Sequence, residues 1–108
     1  MAGCCGDNVL VAPLDFRETD DFDETWVCVD PSGASVPFDA GSWFFEFFTE
    51  PVHVKWVLSV SGSTMRCLKS WDEVKLIPNR THYHLKFLPA GTLTGGHTYQ
   101  VGHVRREC

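Results

Sequence analysis

The strongest constraint on the fold is a two-residue periodicity that recurs in short segments separated by turn residues. Between Val52 and Val60, the residues Val52, Val54, Trp56, Leu58 and Val60 alternate with His53, Lys55, Val57 and Ser59. That is the pattern of a strand with one apolar and one mixed face. Thr81 to Leu88 alternates in the same way, with Thr81, Tyr83, Leu85 and Phe87 on one side and His82, His84, Lys86 and Leu88 on the other. Trp26 to Val29 ends at Asp30-Pro31-Ser32-Gly33, where proline fixes φ and glycine admits a positive one. Ser61-Gly62-Ser63 turns the chain into a strand from Thr64 to Leu68. Ser70 to Glu73 reads as a turn, Val74 to Ile77 as a short strand stopped by Pro78-Asn79, and His97 to Val104 as the last strand. The aromatic run Trp43 to Phe48 suits a strand, although Phe44, Phe47 and Phe48 also fall at helical spacing. Seven or eight short strands joined by turns imply an all-β fold, a small antiparallel β-sandwich or barrel.

At 108 residues with 44% hydrophobic side chains, the chain reads as a single domain without room for a second core. Its charge is unevenly spread. Residues 1–54 hold eleven acids and one base, Arg17, while residues 55–108 hold three acids and eight bases. This divides the chain into an irregular acidic arm over 1–25 and a β-rich core over 26–108, whose opposite charges compensate each other. A net charge of −5 argues against a general nucleic-acid binder, and the apolar runs are too short to span a membrane. The acidic stretch Asp15 to Glu24 lacks the mid-loop glycine and terminal glutamate of a calcium loop. It reads as a solvated arm, with Asp20, Asp21 and Asp23 as a strip for a protein partner. Arg105, Arg106, Lys86, Arg80 and Lys75 suit a basic face near the aromatics, either an ordinary solvated one or one turned to an acidic partner or single-stranded nucleic acid.

Five cysteines without a C-x-x-C pair suggest neither a disulfide framework nor a zinc finger. Cys28 and Cys67 read as small core residues, and Cys4-Cys5 as a frayed terminus or a palmitoylated or redox-active pair. The first residues lack a secretory pattern, and Ala2 stands where myristoylation needs glycine. The expectation is a cytoplasmic, reduced protein.

Four of the five histidines follow residue 81: His82, His84, His97 and His103. On a strand, residues two apart share a face about 7 Å apart, so His82 and His84 present both imidazoles on one side. A hairpin centred near Thr92-Leu93 sets His82 opposite His103 and His97 opposite Leu88. The imidazoles then converge, with Tyr99 beside them. Such a set suits a divalent metal: Fe, Mn, Ni or Zn. The same residues also suit an ordinary solvated face, and a one-residue slip would turn His103 to the other side.

Leu85 to Tyr99, which includes Pro89-Ala90-Gly91 and Gly95-Gly96-His97-Thr98-Tyr99, resembles the first motif of cupins. Val36 to Phe44 is similar to the segment that precedes it. The nearest subgroup is the ChrR-type and acetylacetone or dihydroxyacetophenone dioxygenase-like cupins. Tyr99 stands where that motif has its second histidine, and His103 where it has glutamate. The resemblance implies a cupin- or jelly-roll-like barrel and a truncated or degenerate non-haem oxygenase or isomerase acting on a small organic molecule. His82, His84, His97 and His103 would hold its metal, with Tyr99 as a hydrogen-bond donor behind them. The alternative is a non-enzymatic β-sandwich interaction module, of the kind found in viral or host-interaction proteins. It would bind another protein, or a second copy of itself, through an edge strand or the acidic arm.

Overall fold

The computed structural model describes residues 10–91 and 96–107. The turn near Thr92-Leu93 lies outside them, as do Cys4, Cys5, Gly95 and Cys108. The architecture is all-β, with antiparallel sheets packed on each other, and the barrel is not closed. Among the described residues no helix is long and apolar enough to cross a membrane.

The main sheet is organised around β4 (Gly41–Phe47). Its alternation sends Trp43, Phe45 and Phe47 into the core and leaves Phe44 and Glu46 on the outer face. β4 pairs antiparallel with β5 (Val54–Val57) on one side and with β8 (His82–Pro89) on the other. β8 in turn pairs antiparallel with β9 (His97–Glu107). The outer edge of β9 carries two short parallel strands in succession, β1 (Leu10–Val11) and β2 (Leu14–Arg17). This parallel edge departs from the antiparallel expectation. It arises because the N-terminal segment runs alongside the last strand instead of folding back on its sequence neighbour.

The second sheet has the order β3–β7–β6, from β3 (Phe22–Val27), β6 (Ser59–Ser61) and β7 (Thr64–Lys69). Aromatic rings join the sheets: Trp26 meets Phe45 at 5.7 Å between centroids, and Phe22 meets Trp56 at 6.0 Å. Inside the main sheet, Trp43 lies 4.6 Å from Phe87 and 5.1 Å from Tyr99. Each large apolar side chain fully buried in this way contributes about 1.5–3 kcal/mol of transfer free energy.

Three expectations are corrected. The strand from Val52 to Val60 is broken: β5 ends at Val57, and Leu58 carries the chain to the second sheet, its amide donating to the Trp43 carbonyl at 2.8 Å. The segment from Val74 to Ile77 is not a strand. Val74 closes a single helical turn, α1 (Trp71–Val74), and the chain continues in a turn. Val74 and Ile77, three residues apart, are both 0% exposed, and so short an apolar run does not distinguish the two periods. The acidic arm is largely ordered. Asp15 lies in β2, and Asp23 and Glu24 lie in β3, because the buried Phe16 and Phe22 beside them anchor those strands. Arg105 binds Asp15 through two hydrogen bonds, Arg66 binds Asp23 likewise, and Arg106 pairs with Glu18. The oppositely charged halves thus meet as the composition suggested.

Gly102 on β9 marks a close approach of the N-terminal segment. The Tyr83 hydroxyl donates to the Ala12 carbonyl at 2.7 Å, and a Cβ on Gly102 would overlap that carbonyl oxygen. Gly102→Ala must therefore displace backbone. The expected cost is about 2 kcal/mol, or roughly 10 °C in Tm for a domain of this size, read by thermal melting. An unchanged melt would contradict the packing described.

Candidate functional site

Because Tyr83, Leu85 and Phe87 are drawn into the core, His82, His84 and Lys86 stand on the outer face of β8. The register places His103 directly opposite His82, as the hairpin reading anticipated. Ring centroids lie 5.0 Å apart for His82 and His103, and 5.1 Å apart for His82 and His84. The Nε2 atoms of His82 and His84 approach to 3.2 Å, one imidazole donating to the other.

His97 and Tyr99 do not join them. Leu85 pairs with Gln100 but Lys86 pairs with Thr98, so Tyr99 is an extra residue in β9. A β-bulge of this kind inverts the facing of everything beyond it. Tyr99 is 7% exposed and packs against Trp43, which removes it from the imidazoles. His97 pairs with Phe87 rather than Leu88, six residues before His103 and therefore roughly 20 Å away along the strand. The expected four-histidine set is thus reduced to His82, His84 and His103.

A further histidine enters that the spacing did not select. His53, one residue before β5, packs its ring 4.7 Å from Phe48, whose other neighbours are His84 at 4.7 Å and His82 at 5.6 Å. His53 Nδ1 donates to Glu46 at 2.9 Å, and Lys86 holds the other Glu46 oxygen at 3.2 Å. The signal for His53 was its place on the mixed face of the Val52–Val60 alternation. Nothing in the sequence related that face to β8 until β4 came between them.

The electrostatics follow from this crowding. Burial lowers the His84 pKa, as do the charges of His82 and Lys86, with Glu46 acting in the opposite direction. The His84 Nδ1 is buried without a hydrogen-bond partner among the described residues. The His53 hydrogen bond holds the Glu46 carboxyl below its usual value, and Lys86 adds to this.

Two imidazole nitrogens bound to one ion at about 2.0–2.1 Å lie roughly 2.9 Å apart at an octahedral right angle and roughly 3.4 Å apart at a tetrahedral one. The 3.2 Å between His82 and His84 falls within that interval. Among the described residues, however, no group of three or more His, Cys, Asp or Glu side chains already stands in ligating geometry. His103 meets the His82 ring edge to face.

Most of the other candidate residues have structural duties. Asp23 is held by Arg66, and Asp21 accepts the Trp71 amide at 2.8 Å at the start of α1. Asp20 has neither an ion pair nor a side-chain hydrogen bond among the described residues. Of the basic face, Arg105, Arg106, Lys75 and Lys86 are engaged by Asp15, Glu18, Asp72 and Glu46. Cys67 is a free thiol, buried as expected, and burial pushes its pKa up to about 11, which leaves it unreactive. Cys28 is also buried but is disulfide-bonded, a departure from the reduced state expected.

No family model matches the chain, and no curated protein matches it.

The lowered His84 pKa sets the sign of a pH effect. An unfolded imidazole titrates near 6.5, and the folded chain favours neutral His84. Its contribution to stability is fully present above that pH and is lost as pH falls through the lower folded value. Urea unfolding between about pH 7.5 and 5, a window that brackets an ordinary histidine, should show wild-type stability declining more steeply than that of His84→Gln. Parallel declines would refute the assignment.

Proposed function

We propose that this chain is a β-sandwich module that carries a divalent transition metal, Fe, Mn, Ni or Zn, on the outer face of its main sheet. His82 and His84 supply two ligands and His103 a third. The observation that supports the reading is the 3.2 Å separation of the two Nε2 atoms, set by a strand whose opposite face is locked into the core. Neutral imidazoles are good ligands for these ions, and the depressed His84 pKa keeps that ring ready to bind at neutral pH. Three protein ligands leave positions open toward solvent, suited to a small organic chelator or a partner's side chain. The reading rests on this imidazole row and not on the cupin resemblance, because His97 and Tyr99 lie away from it.

Calorimetric titration of tag-free protein with Ni(II) and Zn(II) tests this. One equivalent should bind at about pH 7.5, and binding should weaken roughly tenfold or more at about pH 5.5 as the imidazoles protonate. His82→Ala and His84→Ala should abolish binding, His103→Ala should weaken it roughly tenfold, and His97→Ala should leave it intact. No binding by the wild type, or equal sensitivity at His97, would defeat the proposal.

A further inference from the structure

The segment that leads from the main sheet into the second one is a hairpin that does not zip. β2 runs out along β9, the chain turns through residues 18–21, where Thr19 takes a φ of 69°, and β3 runs back along β7. Among the described residues β2 and β3 share no ladder, and β3 pairs on one edge only. Phe16 and Phe22 lie edge to face between them, 5.2 Å apart, as a wedge. This leaves an open seam, with β1 and β2 on one bank and β3 on the other.

Two concavities follow one another along it. At the Phe22–Glu24 end is a cleft of about 270 Å³ whose charged lining includes Asp15, Arg17, Asp20, Asp21, Glu24 and Glu107. At the Trp26–Val27 end is an apolar cleft of about 160 Å³ lined by Leu10, Trp26, Val27, Phe38, Met65 and Tyr99. Leu10 and Val27, both in that lining, are each 57% exposed. In the acidic cleft Asp15 is satisfied by Arg105 and Asp21 by the Trp71 amide. Asp20, Glu24 and Glu107 have no ion pair among the described residues, and Arg17 is the one base in the lining.

We propose that the free edge of β3 takes an extended segment of a partner protein by strand addition. The segment carries Lys or Arg at the end beside Asp20 and Glu24 and an aliphatic side chain at the end beside Leu10 and Val27. An edge strand offers unpaired amides and carbonyls to such a segment, and pockets that meet alternate side chains confer selectivity. The six residues of β3 provide roughly 20 Å of edge. The charge asymmetry along that edge selects a cationic peptide rather than a second copy. Of the chain's other described sheet edges, β1 and β6 carry no base, Arg17 of β2 lies on the opposite bank of this same seam, and Lys55 of β5 is already engaged over the Phe44 ring. The seam is also separate from the metal face, since the histidines lie on the outer side of the main sheet.

The test is selection of displayed random peptides of about eight residues, long enough to span that edge, against the full chain. Calorimetry and amide hydrogen exchange with the best synthetic peptide follow. The selected peptides should share a basic residue near one end and an aliphatic residue near the other. Binding should slow exchange across Phe22–Val27. It should weaken about tenfold in Glu24→Lys and be lost in Val27→Asp, both exposed positions, with each variant's Tm confirming its fold. Absence of enrichment, a consensus without basic residues, or protection confined to the histidine face would overturn the proposal. So would a dimer in light scattering that Val27→Asp dissociates, because the seam would then take a second copy. Binding that persists in His82→Ala/His84→Ala keeps this result separate from the fate of the metal reading.

Discussion

The structure depends on the aromatic inner face of β4. Trp43, Phe45 and Phe47 meet Phe87, Tyr99, Tyr83 and Trp56 from their own sheet and Trp26 from the other. Once those three rings are committed inward, strand alternation leaves Phe44, Glu46 and Phe48 on the other face. Lys55 covers the Phe44 ring at 4.4 Å, and Glu46 gathers Lys86 and His53. The outer surface is therefore a consequence of the core. The histidines of β8 stand on the outer face because their neighbours are drawn into the core.

The bulge at Tyr99 divides β9 into two stretches with different duties. On one side of it, His103 shares a face with His82 and His84. On the other, Tyr99 fills the core beside Trp43 and His97 falls opposite Phe87. One inserted residue thus satisfies packing at one end of the strand and limits the imidazole row at the other. A similar trade shapes the open seam. Phe16 and Phe22 meet each other and Trp56, which secures the core and keeps β2 and β3 from pairing. The stabilising contact and the unpaired edge have one cause.

The alternating strand from Thr81 to Leu88 was legible in the sequence, whereas the equally regular Val52 to Val60 gave no sign of its break at Leu58. Tyr83, Leu85 and Phe87 are buried as their period implies, and the Asp30–Gly33 turn forms with Asp30 accepting from Ser32 and Ala34. The facing of His82 and His84, and the pairing of His82 with His103, followed from the same period and a hairpin. Three further things were not legible. Val74 and Ile77 looked like strand because two apolar residues three apart do not distinguish periods. The acidic stretch looked like an arm because its charges outnumber the two phenylalanines that anchor it. His53 looked incidental because it is distant from His82 in sequence, and only β4 brings their segments into one sheet.

What the sequence by itself determined is the set of strand faces and the all-β class, because side-chain alternation is a local property of an extended backbone. Tertiary structure alone decided which faces became neighbours, where the ladder slipped by one residue, and which edge stayed open. Those outcomes depend on how large rings from distant segments fill a common interior. A bulge, a crossing at Leu58 or a wedge at Phe16 and Phe22 is the response of the backbone to that packing. No local pattern announces them.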